Sequence, residues 1–294
     1  MNPIDGGTLT SIPGIEVGHW SDTEALTGCT VIKLPVPNAI AGETRGAAPG
    51  TRETALLAPG MAVEQADAIV LAGGSAFGLA AADGVMRELE AAGRGIPTPA
   101  GAIPIVPAAV VYDLLTGDPS VRPDAEAGVS AFRSATSDPV AQGAIGVGAG
   151  ATVAKWRGLF LPSGIGSAAV EVDGATVAAF VVVNAIGDVF SLEGNPLTGG
   201  PHAPGPIEIP VPVGENTTLA VVATDARASR SELTRLAVRA QDAFSACLRP
   251  AHTRFDGDTC FAVACGEMEV LVDNLAEGAF HAVGLAIESA VQPV

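Results

Sequence analysis

Gly214-Glu215-Asn216-Thr217-Thr218-Leu219-Ala220-Val221-Val222-Ala223-Thr224 divides two kinds of chain. Upstream, residues 195–215 carry Pro196, Pro201, Pro204, Pro206, Pro210 and Pro212 among several glycines. A segment so short of backbone donors cannot pair inside a central sheet and reads as an exposed, partly mobile loop. From Thr217 onward the residues are apolar and β-branched, as a buried strand requires.

Strands and helices alternate on both sides of this junction. Downstream, the capping box Ser229-x-x-Glu232 opens a helix running to about residue 248, and a last helix spans about 272–290. Upstream, residues 168–173 and 175–185 read as two strands joined by an Asp173-Gly174 turn. Further back come a strand at 28–34 and a buried strand at 66–72. Gly73 and Gly74 break the latter, and Ser75 is placed to cap a helix running to about residue 92. A short helix is expected around 123–135. The pattern is mixed α/β.

The 294 residues, 48% hydrophobic, supply a large core, taken here as one domain, residues 1–294. With 4% aromatic residues and 36 glycines, that core must rest on small side chains and close approaches. A net charge of −17 argues against nucleic acid and against an anionic membrane surface as partners. The apolar runs are too short to span a bilayer, and the start MNPIDGGTLT lacks the features of a secretory signal, so a cytoplasmic protein is expected. Cys29, Cys247, Cys260 and Cys265 show neither zinc-site spacing nor a disulfide framework and read as reduced thiols. The four histidines lack metal-ligand spacing, and neither metal nor cofactor is expected.

Two glycine-rich junctions suggest sites and fail on their surroundings. A hydrolase elbow centred on Ser75 needs glycine where Phe77 stands. Gly146-Val147-Gly148-Ala149-Gly150-Ala151 fits a loose dinucleotide fingerprint, but Thr152-Val153-Ala154-Lys155-Trp156 reads as a strand, not the helix a pyrophosphate needs.

Thr217 offers more. A threonine at a chain terminus carries its own base, because an α-amine titrates at about 7.7–8.0. Its hydroxyl can also make that terminus by attacking the Asn216 carbonyl, giving an ester that water hydrolyses. The oxyanion needs donors, for which Asn184, at the end of a strand, and Lys155, one of two lysines in the chain, are candidates. Asp256-Gly257-Asp258 either forms an Asx-type tight turn or orients the amine and hydroxyl of Thr217. Tyr112, the sole tyrosine, sits in an apolar run where its phenol must find a partner.

Six segments together resemble one family. They are Ala48-Pro49-Gly50-Thr51-Arg52-Glu53-Thr54, Gly73-Gly74-Ser75-Ala76-Phe77-Gly78-Leu79, residues 106–113, residues 183–188, Glu215-Asn216-Thr217-Thr218 and Phe255-Asp256-Gly257-Asp258-Thr259. Spread over nearly the whole chain, they resemble the DmpA family of autoproteolytic aminopeptidases and amidases, closest to its nylon-oligomer hydrolase branch.

The resemblance implies an α/β/β/α four-layer sandwich that cuts itself into an α chain, 1–216, and a β chain, 217–294. By its implication Thr217 is the nucleophile, Lys155 and Asn184 assist and hold the oxyanion, Tyr112 is the active-site tyrosine, and Asp256 and Asp258 support the nucleophile. Homo-oligomers of cleaved pairs and a small amide or peptide substrate are implied too. One departure bears on substrate: aminopeptidase members have a glutamate two residues before the tyrosine, and here that position is Val110. The resemblance thus favours amide hydrolysis without a clamp for a free amine. The alternatives are an exo-aminopeptidase and an ornithine acetyltransferase-like acyl transfer.

Overall fold

The computed structural model describes residues 1–207 and 216–291. The chain from Thr217 is a strand, Thr217–Ala226, inside a six-stranded sheet. Ala175–Asn184 pairs with it antiparallel on one side and Thr259–Met268 parallel on the other. Ile165–Val172 and Asn2–Pro3 extend the sheet past the first neighbour, and Ala39–Thr44 lies beyond the second. The Asp173-Gly174 turn joins its two strands as expected, with φ of +50° and +86°, the left-handed pair that a two-residue hairpin turn favours. A second sheet runs Glu16–Asp22, Thr27–Lys33, Ala68–Ala72, Ala108–Val110, Thr51–Arg52.

Among the described residues four α-helices accompany the sheets: α1 (Ala81–Ala91), α2 (Ala125–Arg133), α3 (Arg230–Cys247) and α4 (Val272–Ser289). Strand alternation sorts the apolar side chains. Val177, Ala179, Val181 and Val183 pack with Leu236 and Phe244 of α3 and with Val283 and Ile287 of α4. The intervening Ala178, Phe180 and Val182 face Ile32, Ile69 and Leu71 of the second sheet. The reverse face of that sheet, with Val31 and Val70, packs on Val85 and Leu89 of α1 and Ala131 of α2. Each fully buried Val, Leu, Ile or Phe contributes roughly 1.5–3 kcal/mol. Close approach compensates for the scarcity of rings: a Cβ on Gly166 would lie 1.8 Å from the Ala286 carbonyl oxygen, so α4 rests on the strand backbone itself.

Helix ends follow local chemistry. Ser229 and Glu232 form the expected capping box, and Asp124 caps α2 by accepting from the Ala127 N–H at 2.9 Å. Ser75 differs from its expected role. With Gly74 at φ +77° and Ser75 itself at +54°, the chain is left-handed where a cap must be extended. The helix therefore starts as a 3-10 stretch, Ser75–Ala80, and becomes α-helical at Ala81. Of the stretch 152–156 read as a strand, only Thr152–Val153 is one; Ala154 turns left-handed and Lys155–Arg157 form a short 3-10 turn, with no α-helix there to receive a pyrophosphate.

The four thiols are free; three are buried and Cys265 is half-buried. In the proline-rich loop, residues 201–206 are exposed, while Trp156 Nε1 donates to the Gly205 carbonyl at 2.8 Å. Pro210 and Pro212 lie outside the described residues. No helix among the described residues is long and apolar enough to cross a membrane.

Candidate active site

Where the strand Ala175–Asn184 ends, its antiparallel neighbour begins, so Asn184 lies directly opposite Thr217 and both side chains share a face. Asn216 is completely buried and forms a parallel bridge to Asp256; Thr217 is 4% exposed. The Thr217 hydroxyl donates to the Asn216 carbonyl oxygen at 2.5 Å. The Gly257 N–H donates to that same oxygen at 2.9 Å. A hydroxyl and an amide donor thus converge on the carbonyl of one peptide bond.

The loop 253–258 is braced from several directions. Ala48 N–H donates to the Asp256 carbonyl at 2.9 Å, and Arg45 N–H to the Asp258 carbonyl at 3.0 Å. The Asp258 carboxylate accepts from Thr218 N–H at 2.7 Å, from His252 N–H at 3.0 Å and from His252 Nδ1 at 2.9 Å. The Asp256 carboxylate accepts from the N–H and hydroxyl of Thr253 at 2.7 and 2.6 Å. Burial first, then the neighbouring Asp258 charge, push Asp256 up to about 7. Burial pulls His252 down, but its hydrogen bond to Asp258 and that carboxylate's charge prevail and hold it above its ordinary value. The Asp258 carboxylate therefore reaches Thr217 through the N–H of its neighbour Thr218, whereas Asp256 meets the other neighbour, Asn216, through its backbone and turns its carboxylate to Thr253.

Lys155 is turned inward by Ala154, which adopts φ +65° at the start of the 3-10 stretch Lys155–Arg157. Its Nζ donates to Asn184 Oδ1 at 2.8 Å and to the Asn184 carbonyl at 3.2 Å. Asn184 Oδ1 also accepts from Thr152 N–H at 3.1 Å, and its Nδ2 donates to the Tyr112 carbonyl at 3.0 Å. Asn184 thus links the strand holding Thr217 to the segment holding Tyr112.

Tyr112, Val110 and Thr217 line one cleft of about 290 Å³ with Ser75 and the segment 48–50. A larger cavity, about 770 Å³ beside Asp67 and Arg94, contains none of the candidate residues. Below Ser75, buried Asp113 accepts from Gly74 N–H and the Thr27 hydroxyl, both at 2.7 Å. Burial raises its carboxyl despite those donors.

All seven residues singled out in the sequence, Tyr112, Lys155, Asn184, Asn216, Thr217, Asp256 and Asp258, lie within this connected region. His252, Gly257 and Thr253 were not singled out. His252 and Thr253 precede Asp256-Gly257-Asp258 by a few residues, but only the fold brings that loop to Asn216 and Thr218.

A family model, Peptidase family S58, matches residues 7–293. The chain belongs to this family. Relatives of two kinds accompany the match. An uncharacterized aminopeptidase of Mycobacterium leprae is 42% identical over 296 residues, covering 89% of this chain and 79% of that protein. A 6-aminohexanoate-oligomer endohydrolase of Kocuria sp. is 30% identical over 279 residues, covering 88% and 75%. Among solved structures, the L-aminopeptidase D-Ala-esterase/amidase of Ochrobactrum anthropi, described as a variant of the Ntn hydrolase fold, aligns with a TM-score of 0.76 at 20% identity, over 97% of this chain and 85% of that one. That likeness lies in the fold, which is of the mixed α/β, Ntn-hydrolase-like kind. As an S58 family protein, the chain is an amide-bond hydrolase.

Proposed function

We propose that the chain cuts itself between Asn216 and Thr217, and that Thr217, as the new terminus of residues 217–294, is the nucleophile. The observation that supports this most is the shared oxygen: Thr217 hydroxyl and Gly257 N–H both reach the Asn216 carbonyl, at 2.5 and 2.9 Å. In this reading Oγ1 attacks the carbonyl carbon, its proton passes to the departing nitrogen, and Gly257 N–H holds the oxyanion. The C–N bond breaks, leaving an ester between Asn216 and Thr217 Oγ1. Water then hydrolyses the ester to a carboxylate on residues 1–216 and a free Thr217.

The freed α-amine, with a reference pKa of about 7.7–8.0, then deprotonates Oγ1 for attack on a substrate amide. The amine product leaves with the proton. Water hydrolyses the acyl-enzyme to release the acid. Asn184 and Lys155 serve as donors to the substrate oxyanion, Tyr112 flanks it in the cleft, and Asp256 and Asp258 support the nucleophile through its neighbours.

Val110, apolar and lining the cleft, supports amide bonds in small peptides or linear amide oligomers without a free amine at the site. The name of the Kocuria relative points the same way. The aminopeptidase names of the 42% relatives favour a second reading, removal of N-terminal residues. The three separate apolar clusters support a four-layer α/β/β/α sandwich. The family resemblance supports a homo-oligomer of cleaved pairs, and the acidic balance with no membrane-crossing helix among the described residues is compatible with the cytoplasm.

A denaturing gel tests the central claim. Wild type is expected to run as two fragments and Thr217→Ala as one full-length band. A single full-length band from active wild type would refute the nucleophile assignment.

A further inference from the structure

Asp256 and Asp258 are two buried carboxyls one residue apart, and the bonds around His252 distinguish them. His252 Nε2 lies 3.2 Å from the Gln241 carbonyl oxygen in α3, and Nδ1 lies 2.9 Å from Asp258 Oδ2. A carbonyl oxygen only accepts, so Nε2 carries a proton. Both Asp258 oxygens already accept backbone N–H groups, from Thr218 and from His252 itself, so Nδ1 beside Oδ2 donates as well. The arrangement is that of an imidazolium paired with a carboxylate. Asp258 gives its other oxygen to Thr218 N–H at 2.7 Å.

We infer that His252 is a positioning residue for Thr217: its imidazolium ties Asp258 to α3, and Asp258 holds the peptide N–H that follows the nucleophile. This rests on the reading that Thr217 acts. His252 makes these contacts from a left-handed backbone, φ +55°, which a histidine adopts at a cost and which marks a constrained position. The groups facing its ring are the carboxyls of Asp258 and, further off, Asp256, the Gln241 carbonyl and the Phe244 ring at 6.0 Å. Arg249 and Arg254, from its own loop, lie over Phe190 and Phe255 instead. Among the described residues His252 is the cation within ion-pair distance of Asp258. Asp256, with only neutral donors from Thr253, is left as the carboxyl of the pair that takes up a proton. The upward shifts of Asp256 and His252 agree with that division.

The consequence has a sign. His252 is held above its ordinary value, so it is on passing beyond that ordinary value to the raised one that the imidazolium is lost, Asp258 loses its partner, and the aim of Thr218 N–H degrades. Self-cleavage should therefore slow on the alkaline side.

The test is a pulse-chase of the full chain made by in vitro translation and shifted from mildly acid to alkaline pH, following the two fragments. His252→Gly suits the left-handed backbone and keeps the loop unstrained; His252→Asn keeps neutral donors without the charge. His252→Gly should cleave roughly tenfold to a hundredfold more slowly, the loss that one charge-assisted hydrogen bond carries, and added imidazole should restore it only while protonated. His252→Asn should lack the alkaline decline. Wild-type rate and pH profile in both variants would overturn the inference, as would a slow His252→Gly that imidazole leaves slow together with an alkaline decline retained in His252→Asn. Failure of wild type itself to cleave would instead refute the self-cleavage reading, and this inference with it.

Discussion

Gly257 donates its N–H to the Asn216 carbonyl oxygen at 2.9 Å, where the parallel bridge between Asn216 and Asp256 brings two segments distant in sequence together. The same residue has no room for a side chain. A Cβ there would lie 2.8 Å from Thr217 Oγ1 and 2.9 Å from the Ala48 carbonyl oxygen. Gly257→Ala should displace the hydroxyl and slow self-cleavage on the order of a hundredfold, the effect of misplacing a reacting atom by about 1 Å. Intact mass measured against time after synthesis checks this, and unchanged fragment formation would contradict it.

Val110 lines the cleft beside Thr217, and a Cβ on Gly50 would meet its Cγ2 at 2.5 Å. Val110→Glu should introduce a carboxylate that a substrate amine can pair with. The ratio of kcat/KM for a free-amine peptide amide over its N-acetylated counterpart should rise about tenfold, the worth of one charged hydrogen bond. An unchanged ratio in a folded variant would mean that the amine of such a substrate does not approach residue 110.

The Asp256 carboxyl, raised by burial and by Asp258 to about 7, makes stability depend on pH in a defined direction. A carboxyl with a raised folded-state value binds its proton more tightly when folded, so the stability it contributes is full below about 3.9 and is lost as pH rises through about 7. Urea unfolding of the Thr217→Ala chain between those limits, compared with Thr217→Ala/Asp256→Asn, should show the second losing less stability on the alkaline side. Parallel curves would contradict the shift.

Arg230, the first residue of α3, spreads its guanidinium over five carbonyls: Ile40 at 3.1 Å, Leu56 at 3.2 Å, Ala58 at 3.3 Å, Met61 at 3.2 Å and Val63. Its neighbours 56–63 have little regular structure of their own. Arg230→Ala should cost about 1–3 kcal/mol and open this stretch to limited proteolysis, because the carbonyls lose a charged donor that water replaces only where the loop moves out. Cleavage at the wild-type rate would show that the loop holds itself.

Local signals were readable wherever a few adjacent residues decide the outcome. Asp173-Gly174 fixes a hairpin through two left-handed residues, Ser229 and Glu232 fix a helix start, and Thr152-Val153 excludes a nucleotide helix. Ser75 misled because a serine before a helical run looks the same whether its backbone is extended or left-handed; here Gly74 and Ser75 are both left-handed. The candidate residues were picked out by residue type as a loose set and given their roles by the family resemblance, since no local pattern says that Asn184 ends opposite Thr217 or that Lys155 turns onto Asn184. The Thr218 to Asp258 bond spans forty positions. His252 and the Gly257 N–H escaped for the same reason: a backbone donor leaves no mark in a sequence, and a histidine near a tight acidic turn acquires its meaning from the carbonyl that α3 presents.

The position of Thr217–Ala226 has a consequence for the molecule's life history. The proposed cut ahead of Thr217 would leave a second piece, two of whose strands fill the sheet between Ala175–Asn184 and Ala39–Thr44, and whose α3 and α4 cover that sheet's outer face. Neither piece retains a complete core alone. While folded, the halves stay clasped and the break goes unnoticed. Once melted, they must find each other again, and folding that began as a unimolecular event becomes bimolecular, dependent on dilution. The uncut Thr217→Ala chain should recover from heating at concentrations where a chain cut at this junction does not, so the proposed maturation would commit each molecule to a single folding.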